Sequence, residues 1–284
     1  MRVSVIVNPR AGRGRGERAA GEVIAALDRG GHELTRVTVG DEIDLGGAEA
    51  VVVVGGDGTV HSQIDRLIGA GVPVYAVPMG TENLFAREFG MSGQPLHVVE
   101  AIARRDAVRL DIGRCNGRAF VIMAGVGFDA DVVHRLAAVR GATITHRSYI
   151  GPIMKQVFAS RAPRVTIEVD GEPLVEACRG SLVVANIRQY GMRLDPAPRA
   201  DGTDGLLDVV FMPHKGCALL AWWAMLARVR MLRSSAMVRS ARGKSIVVTS
   251  EETFNVQLDG EASMTDQTRL ELAVEPGVLR VLRP

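Results

Sequence analysis

Short runs of β-branched residues, each closed by a glycine-rich break, recur along the first third of the chain. Val3 to Val7 is short and β-branched, and it ends at the breaker cluster NPRAGRGRG, the pattern of a buried parallel strand. A helix is predicted from about Glu17 to Arg29, with Ala20, Val23, Ile24 and Leu27 on one face. TRVTVG and AVVVVGG read as the second and third strands. Val60, Ile64, Leu67 and Ile68 then stand at i, i+4, i+7 and i+8, an apolar helical face. VPVYAVPMG is a fourth strand, NLFAREFGM begins a helix, and QPLHVVEAIARR continues the alternation. Strand alternating with helix over about the first 105 residues predicts an open parallel sheet with helices on both sides.

The period changes in the second half. RVTIEVDGEPL, SLVVAN, LLDVVFM, KSIVVT, TFNVQLDGE and RLELAV read as strands, several with period-two alternation such as Phe254, Val256 and Leu258. Turn signals stand at Asp170-Gly171 and Asp259-Gly260. This half predicts an antiparallel β-sandwich or barrel, interrupted by helices near Ala130 to Arg140, Ser148 to Ser160 and Gly216 to Arg233. The boundary is expected near Val108 to Arg118.

Composition narrows the class of protein. A chain of 284 residues is long for one core, which favours two domains. A formal charge of +2 and few aromatic residues give no basic stripe with interleaved rings, so no nucleic-acid partner is expected. Cys115, Cys178 and Cys217 form no CxxC pair and the histidines no HExxH spacing, which removes a zinc ribbon, a disulfide framework and a zincin site. MRVSVIVNPRAGRG is too short in its apolar run for a secretory signal. The run from Gly216 to Met231 is broken at Arg228, too early to span a bilayer. A cytoplasmic protein with no transmembrane segment is expected.

The candidate chemistry lies at the strand ends. GGDGT, from Gly55 to Thr59, joins a strand to a helix at the carboxyl edge of a parallel sheet, where α/β folds bind ligands. Uncovered backbone amides at a helix N-terminus favour phosphate oxygens. The pattern is neither GxxxxGK[ST] nor GxGxxG. An aspartate here would repel a bare polyphosphate, so Asp57 implies that a metal ion or a reacting hydroxyl comes close, as in a kinase. Gly80-Thr81 repeats the arrangement after the next strand, with Glu82 and Asn83 opening a helix. The loop after the first strand supplies Asn8, Arg13 and Arg15, whose arginines suit a phosphate or an anionic headgroup.

Taken in order, these segments resemble the diacylglycerol kinase catalytic family, the lipid kinases that include sphingosine and ceramide kinases. The matching segments are NPRAGRG, GGDGT, PMGTENLFAR, AGVGFDADV, PAPRADGTDGLLDVV and VQLDGE. The resemblance implies an NAD-kinase-like α/β domain over residues 1–110, with the tail 276–284 returning to it, and a β-sandwich lipid-substrate domain over 111–275. It implies magnesium-ATP as donor and a lipid at a membrane surface as acceptor, with the protein peripheral at the inner face and a homodimer compatible. Glu261 would be the general base and Asp57 would place the magnesium-nucleotide or the acceptor hydroxyl. Asn8, Gly55, Gly56, Gly58, Thr59, Gly80, Thr81, Asn83 and Asp259 would serve nucleotide binding. Asp204 would hold a structural magnesium, with Asp201 and Asp208 competing. Leu84 departs from the family, because bacterial diacylglycerol kinases carry an aspartate after the asparagine. The rivals are an NAD-kinase-like enzyme with a soluble acceptor and a regulator that binds nucleotide or lipid without turnover.

Overall fold

A computed structural model describes residues 1–41, 44–140 and 162–284, so the helix expected over Ser148 to Ser160 lies outside the described residues. The chain divides into two compact units, Met1–Ile112 with Glu275–Pro284, and Gly113–Val274.

In the first unit the β-branched runs form β1 (Arg2–Val7), β2 (Glu33–Thr38), β3 (Ala50–Gly55) and β4 (Val74–Pro78). They pair in parallel in the order β4-β3-β1-β2. Every residue of β3 is buried, which is why its sequence shows no alternation. The connections are α1 (Gly16–Arg29), α2 (Asp57–Ala70), the short α3 (Leu84–Glu88) and α4 (Pro95–Arg104). The faces read from the periodicity are the buried ones: Ala20, Val23 and Leu27 on α1, and Val60, Ile64 and Leu67 on α2. α2 ends where Gly71 takes φ +64°, a left-handed cap that glycine adopts without a Cβ clash.

The second unit is antiparallel. After β5 (Ala107–Cys115), which carries the chain across the unit boundary, come β6 (Arg118–Phe120), β7 (Met123–Val126), α5 (Phe128–Arg140), β8 (Arg164–Val169) and β9 (Glu172–Ala185). They are followed by β10 (Leu207–Pro213), α6 (Cys217–Arg228), β11 (Arg239–Gly243), β12 (Ser245–Leu258) and β13 (Glu261–Leu282). The long strands β9 and β12 each serve three neighbours, β7 and β8 together with β10 for β9 and β13 for β12. One half of each flanks β8 and the other half flanks β7, which folds the sheet over a core holding Phe120, Phe211, Ile246, Val256 and Leu258.

Some expected boundaries are corrected here. KSIVVT and TFNVQLDGE are one strand, β12, with register shifts between Thr249 and Val256. The polar step Ser250–Glu252 carries no glycine or proline to end the strand, and Glu252 is tied across to Arg179 of β9. RVTIEVDGEPL is split at its Asp170-Gly171 turn, so that Glu172 onwards and SLVVA merge into β9, and RLELAV is the middle of β13. The far end of β13 belongs to the first unit, where Val281 pairs in parallel with Val74 of β4.

Candidate functional site

In the first unit three strand ends converge. Asn8, just past β1, donates its backbone N–H to Val54 O (3.0 Å) and its Nδ2 to the buried Thr59 Oγ1 (2.9 Å). That bond locks the first loop to the first turn of α2. Gly55 has no room for a side chain, because a Cβ there would lie 2.4 Å from Thr59 Cβ. The GGDGT and Gly80-Thr81 loops touch through their glycines: a Cβ on Gly56 would fall 2.9 Å from Gly80 Cα, and one on Gly80 equally close to Gly56 Cα. Two backbones at that distance present amides rather than side chains to whatever binds above them. Thr59 N and Val60 N are bonded to Gly56 O (2.9 and 3.2 Å), which closes the first turn of α2 on the glycine loop.

Asp57 stands in the first turn of α2, where the helix dipole favours a negative charge. Its Oδ1 accepts the N–H of Phe85 at 3.0 Å, capping α3 from another loop. Asn83 closes the second loop with a reciprocal pair: Gly80 N donates to Asn83 Oδ1 (2.6 Å) and Asn83 Nδ2 to Gly80 O (2.9 Å). The αL backbone of Asn83, φ +50°, is one that asparagine tolerates. Leu84 is buried beneath this turn. Arg13 and Arg15 are exposed in a loop whose Gly12 approaches Met79 O, and Arg15 Nε donates to Gly12 O (3.0 Å). Glu82 lies 3.6 Å from Arg87.

In the second unit Asp259 and Gly260 form the β12–β13 turn with φ +52° and +82°, the two left-handed residues of a type I′ hairpin. The buried Asp259 carboxylate receives three backbone amides, Val121 N (2.9 Å), Ile122 N (2.7 Å) and Met123 N (3.0 Å). Its geometry therefore anchors the turn. Glu261, the first residue of β13, is partly exposed and its carboxylate has no hydrogen bond or ion pair among the described residues.

Behind that turn lies a polar cluster that motif spacing does not reveal. Gly260 N donates to Gln257 Oε1 (2.8 Å), Gln257 Nε2 to Asp129 Oδ2 (3.1 Å), and Tyr190 OH to the same oxygen (3.2 Å). Gly125 makes the space, since a Cβ there would stand 2.3 Å from Asp129 Oδ2. Burial pushes the Asp129 carboxyl up to about 6, against the opposing pull of these hydrogen bonds. Next door, Phe128 N donates to Ser181 Oγ (3.0 Å), which also shares a hydrogen bond with His214 Nε2 at 2.8 Å. Burial pushes the His214 pKa down to about 4. Asp129 and Gln257 lie within the AGVGFDADV and VQLDGE segments, but Gln257 simply occupies the polar register of a period-two strand, and Tyr190 and Ser181 carry no sequence signal.

Asp204 lies apart from the turn. It is ion-paired with Arg242 of β11, and its Oδ1 accepts Leu206 N (3.0 Å). Asp208 is buried against Arg242 (2.9 Å) and Arg233 (3.4 Å), and Asp201 holds Thr203. These carboxylates face arginines and their own loop. Among the described residues no group of three or more acidic, histidine or cysteine side chains is placed for a metal.

Comparison with known proteins follows the same division. The family model for the diacylglycerol kinase catalytic domain matches residues 2–115, and that for the YegS C-terminal NAD kinase beta sandwich-like domain matches residues 122–283. The chain is 29% identical over 299 residues to the diacylglycerol kinase of Mycobacterium tuberculosis H37Rv, covering 100% of this chain and 95% of that protein. It is 30% identical over 291 residues to a Pseudomonas aeruginosa PAO1 protein named "Probable lipid kinase YegS-like", covering 96% and 92%. A crystal structure of a diacylglycerol kinase from Bacillus anthracis str. Sterne superposes with a TM-score of 0.72 at 19% identity, covering 100% of this chain and 97% of that one, and speaks to the fold alone.

Proposed function

The chain belongs to the diacylglycerol kinase and YegS-like lipid kinase family, and from that premise we propose that it transfers the γ-phosphate of ATP to a hydroxyl of a lipid such as diacylglycerol or a sphingoid lipid. The observation that carries this reading is the contact of the two glycine loops, Gly56 against Gly80, with Asn8 and Thr59 bonded beneath them. Donor phosphates, delivered as the magnesium complex, lie over the Gly55–Thr59 and Gly80-Thr81 amides, with Arg13 and Arg15 beside them. Asp57 fixes the relative position of the two loops through Phe85.

Glu261 takes the proton of the acceptor hydroxyl as its oxygen attacks the γ-phosphorus; the bond to the bridging oxygen breaks and ADP leaves. Positioning and electrostatics supply most of the rate. The absence of competing partners on the Glu261 carboxylate supports this role. Magnesium travels with the nucleotide in this reading, since Asp204 is engaged by Arg242. A bilayer-borne acceptor makes the protein peripheral at the inner membrane face, and no described helix is long and apolar enough to cross a membrane.

The test is transfer of labelled γ-phosphate from magnesium-ATP into a total lipid extract, beside Glu261→Ala, with products separated by chromatography. A labelled lipid that disappears in Glu261→Ala supports the reading, and its identity names the acceptor. Label found only in a soluble product such as NAD phosphate overturns it.

A further inference from the structure

The exposed large apolar side chains gather in one place. Of seven among the described residues, five (Trp222, Met225, Val229, Met231 and Met237) fall within one stretch of the second unit. Trp222, Met225 and Val229 stand at i, i+3 and i+7, a single stripe along α6 and its C-terminal end. The opposite side is the inner one: Trp223 and Ala227 are buried, and Trp223 Nε1 donates to Pro213 O (3.0 Å). The helix is thus pinned by its inner tryptophan while the outer one stays 49% exposed. Met192, 76% exposed, adjoins the stripe, since Arg228 donates to its carbonyl (3.1 Å). A contiguous apolar patch of this kind marks an interaction surface rather than ordinary scatter.

The charge carried by this stretch of chain has one sign. Between Asp208 and Glu251 the sequence holds no acidic residue, while it holds Lys215, Arg228, Arg230, Arg233, Arg239, Arg242 and Lys244. Arg230 reaches Asp195 (3.0 Å), and Arg233 and Arg242 are taken up by Asp208 and Asp204. Among the described residues Arg228 and Arg239 bond only to backbone carbonyls, of Met192 and Ala236, so their charge remains for a partner.

We propose that the outer face of α6 and the segment up to Met237 dock this protein on an anionic bilayer, a surface that deepens the lipid-kinase reading and rests on it for its purpose. Tryptophan, methionine and valine on one face with arginines at the flank is the composition that settles into the headgroup boundary. The arginines answer lipid phosphates. A second copy of the chain fits less well, because an isologous contact would bring two arginine-flanked faces together with no acidic partner in the segment.

Two surface variants, Trp222→Ser/Met225→Ser/Val229→Ser and Arg228→Glu/Arg239→Glu, test it by co-sedimentation with phosphatidylcholine vesicles containing or lacking phosphatidylglycerol. The intact protein is expected to prefer the anionic vesicles, and each variant to bind them about ten-fold or more weakly. Phosphorylation of a short-chain diacylglycerol in detergent micelles is expected to stay unchanged in both. Variants that sediment like the parent overturn the docking face while micellar activity still upholds the kinase reading. Absence of micellar activity in the parent, with vesicle binding lost in the variants, sinks the kinase reading and leaves the docking face standing. A triple-serine variant that turns a dimer into a monomer and still binds vesicles shows that the face joins copies, which also overturns the proposal.

Discussion

Gly56 has an extended backbone, φ −101° and ψ −172°, that any residue adopts, so its missing side chain is a matter of space alone. An alanine there must push Gly80 away, and the shift falls on the two loops proposed to hold phosphate. Gly56→Ala is expected to lose about 1–3 kcal/mol of stability and to weaken ATP binding at least about ten-fold, read by thermal unfolding and by nucleotide titration. Asp129 makes a different prediction, through pH. Its carboxyl is raised to about 6 in the folded chain, so between the ordinary carboxylate range and that value the folded state holds a proton the unfolded state has lost. Stability from this group is therefore fully present at low pH and is lost as pH rises to about 6, by about 2–3 kcal/mol. His214 acts in the opposite sense, because its lowered pKa makes stability rise from about 4 towards its ordinary value near 6.5. The difference in urea midpoint between the parent and Asp129→Asn, followed from pH 4 to 7, is expected to isolate the first slope; identical profiles would remove the group from the account.

At the scale of elements, Asp57 answers why a carboxylate interrupts a glycine-rich turn. It begins one helix and caps another, so a five-residue α3 gains a partner that its own N-cap, Asn83, is turned away from supplying. Structure and charge separate by substitution. Asp57→Asn keeps an acceptor for Phe85 N and is expected to unfold within a degree or two of the parent while losing about 100-fold or more in kcat. Asp57→Ala is expected to lose about 1–2 kcal/mol of stability as well. The strand ends, the helix faces and the period-two alternation of Phe254, Val256 and Leu258 were legible in the sequence because burial on a regular element leaves a regular trace. β12 was divided wrongly because a polar step without a breaker looks like a loop when its cross-strand partner, Arg179, is seventy-three residues away. The Gln257–Asp129–Tyr190 cluster was illegible for the same reason: each hydrogen bond joins distant segments, and Gln257 keeps the polar register of its strand.

At the scale of the molecule, the chain enters the second unit after Ile112 and leaves it after Val274. The returning segment is no loose tail. Leu279, Val281 and Leu282 are buried, Gly277 N donates to Asp111 Oδ1 (2.7 Å), and Arg283 N donates to Asp106 O (2.9 Å). Deleting residues 275–284 is expected to destabilise the first unit by on the order of 5 kcal/mol, seen as early cleavage within residues 1–112 in limited proteolysis, with the second unit remaining resistant.

That return also orders events during synthesis. When the ribosome has made residues 1–112 of the first unit it has not yet made the strand that seals the exposed edge of β4, and more than one hundred and sixty further residues must emerge first. The sandwich unit is contiguous and has all its strands in hand before the earlier unit does. The first part of the polypeptide to be translated is thus the last to be finished, and an open parallel edge at Val74 waits on the nascent chain as a place where chaperones, or other unfinished copies, can attach.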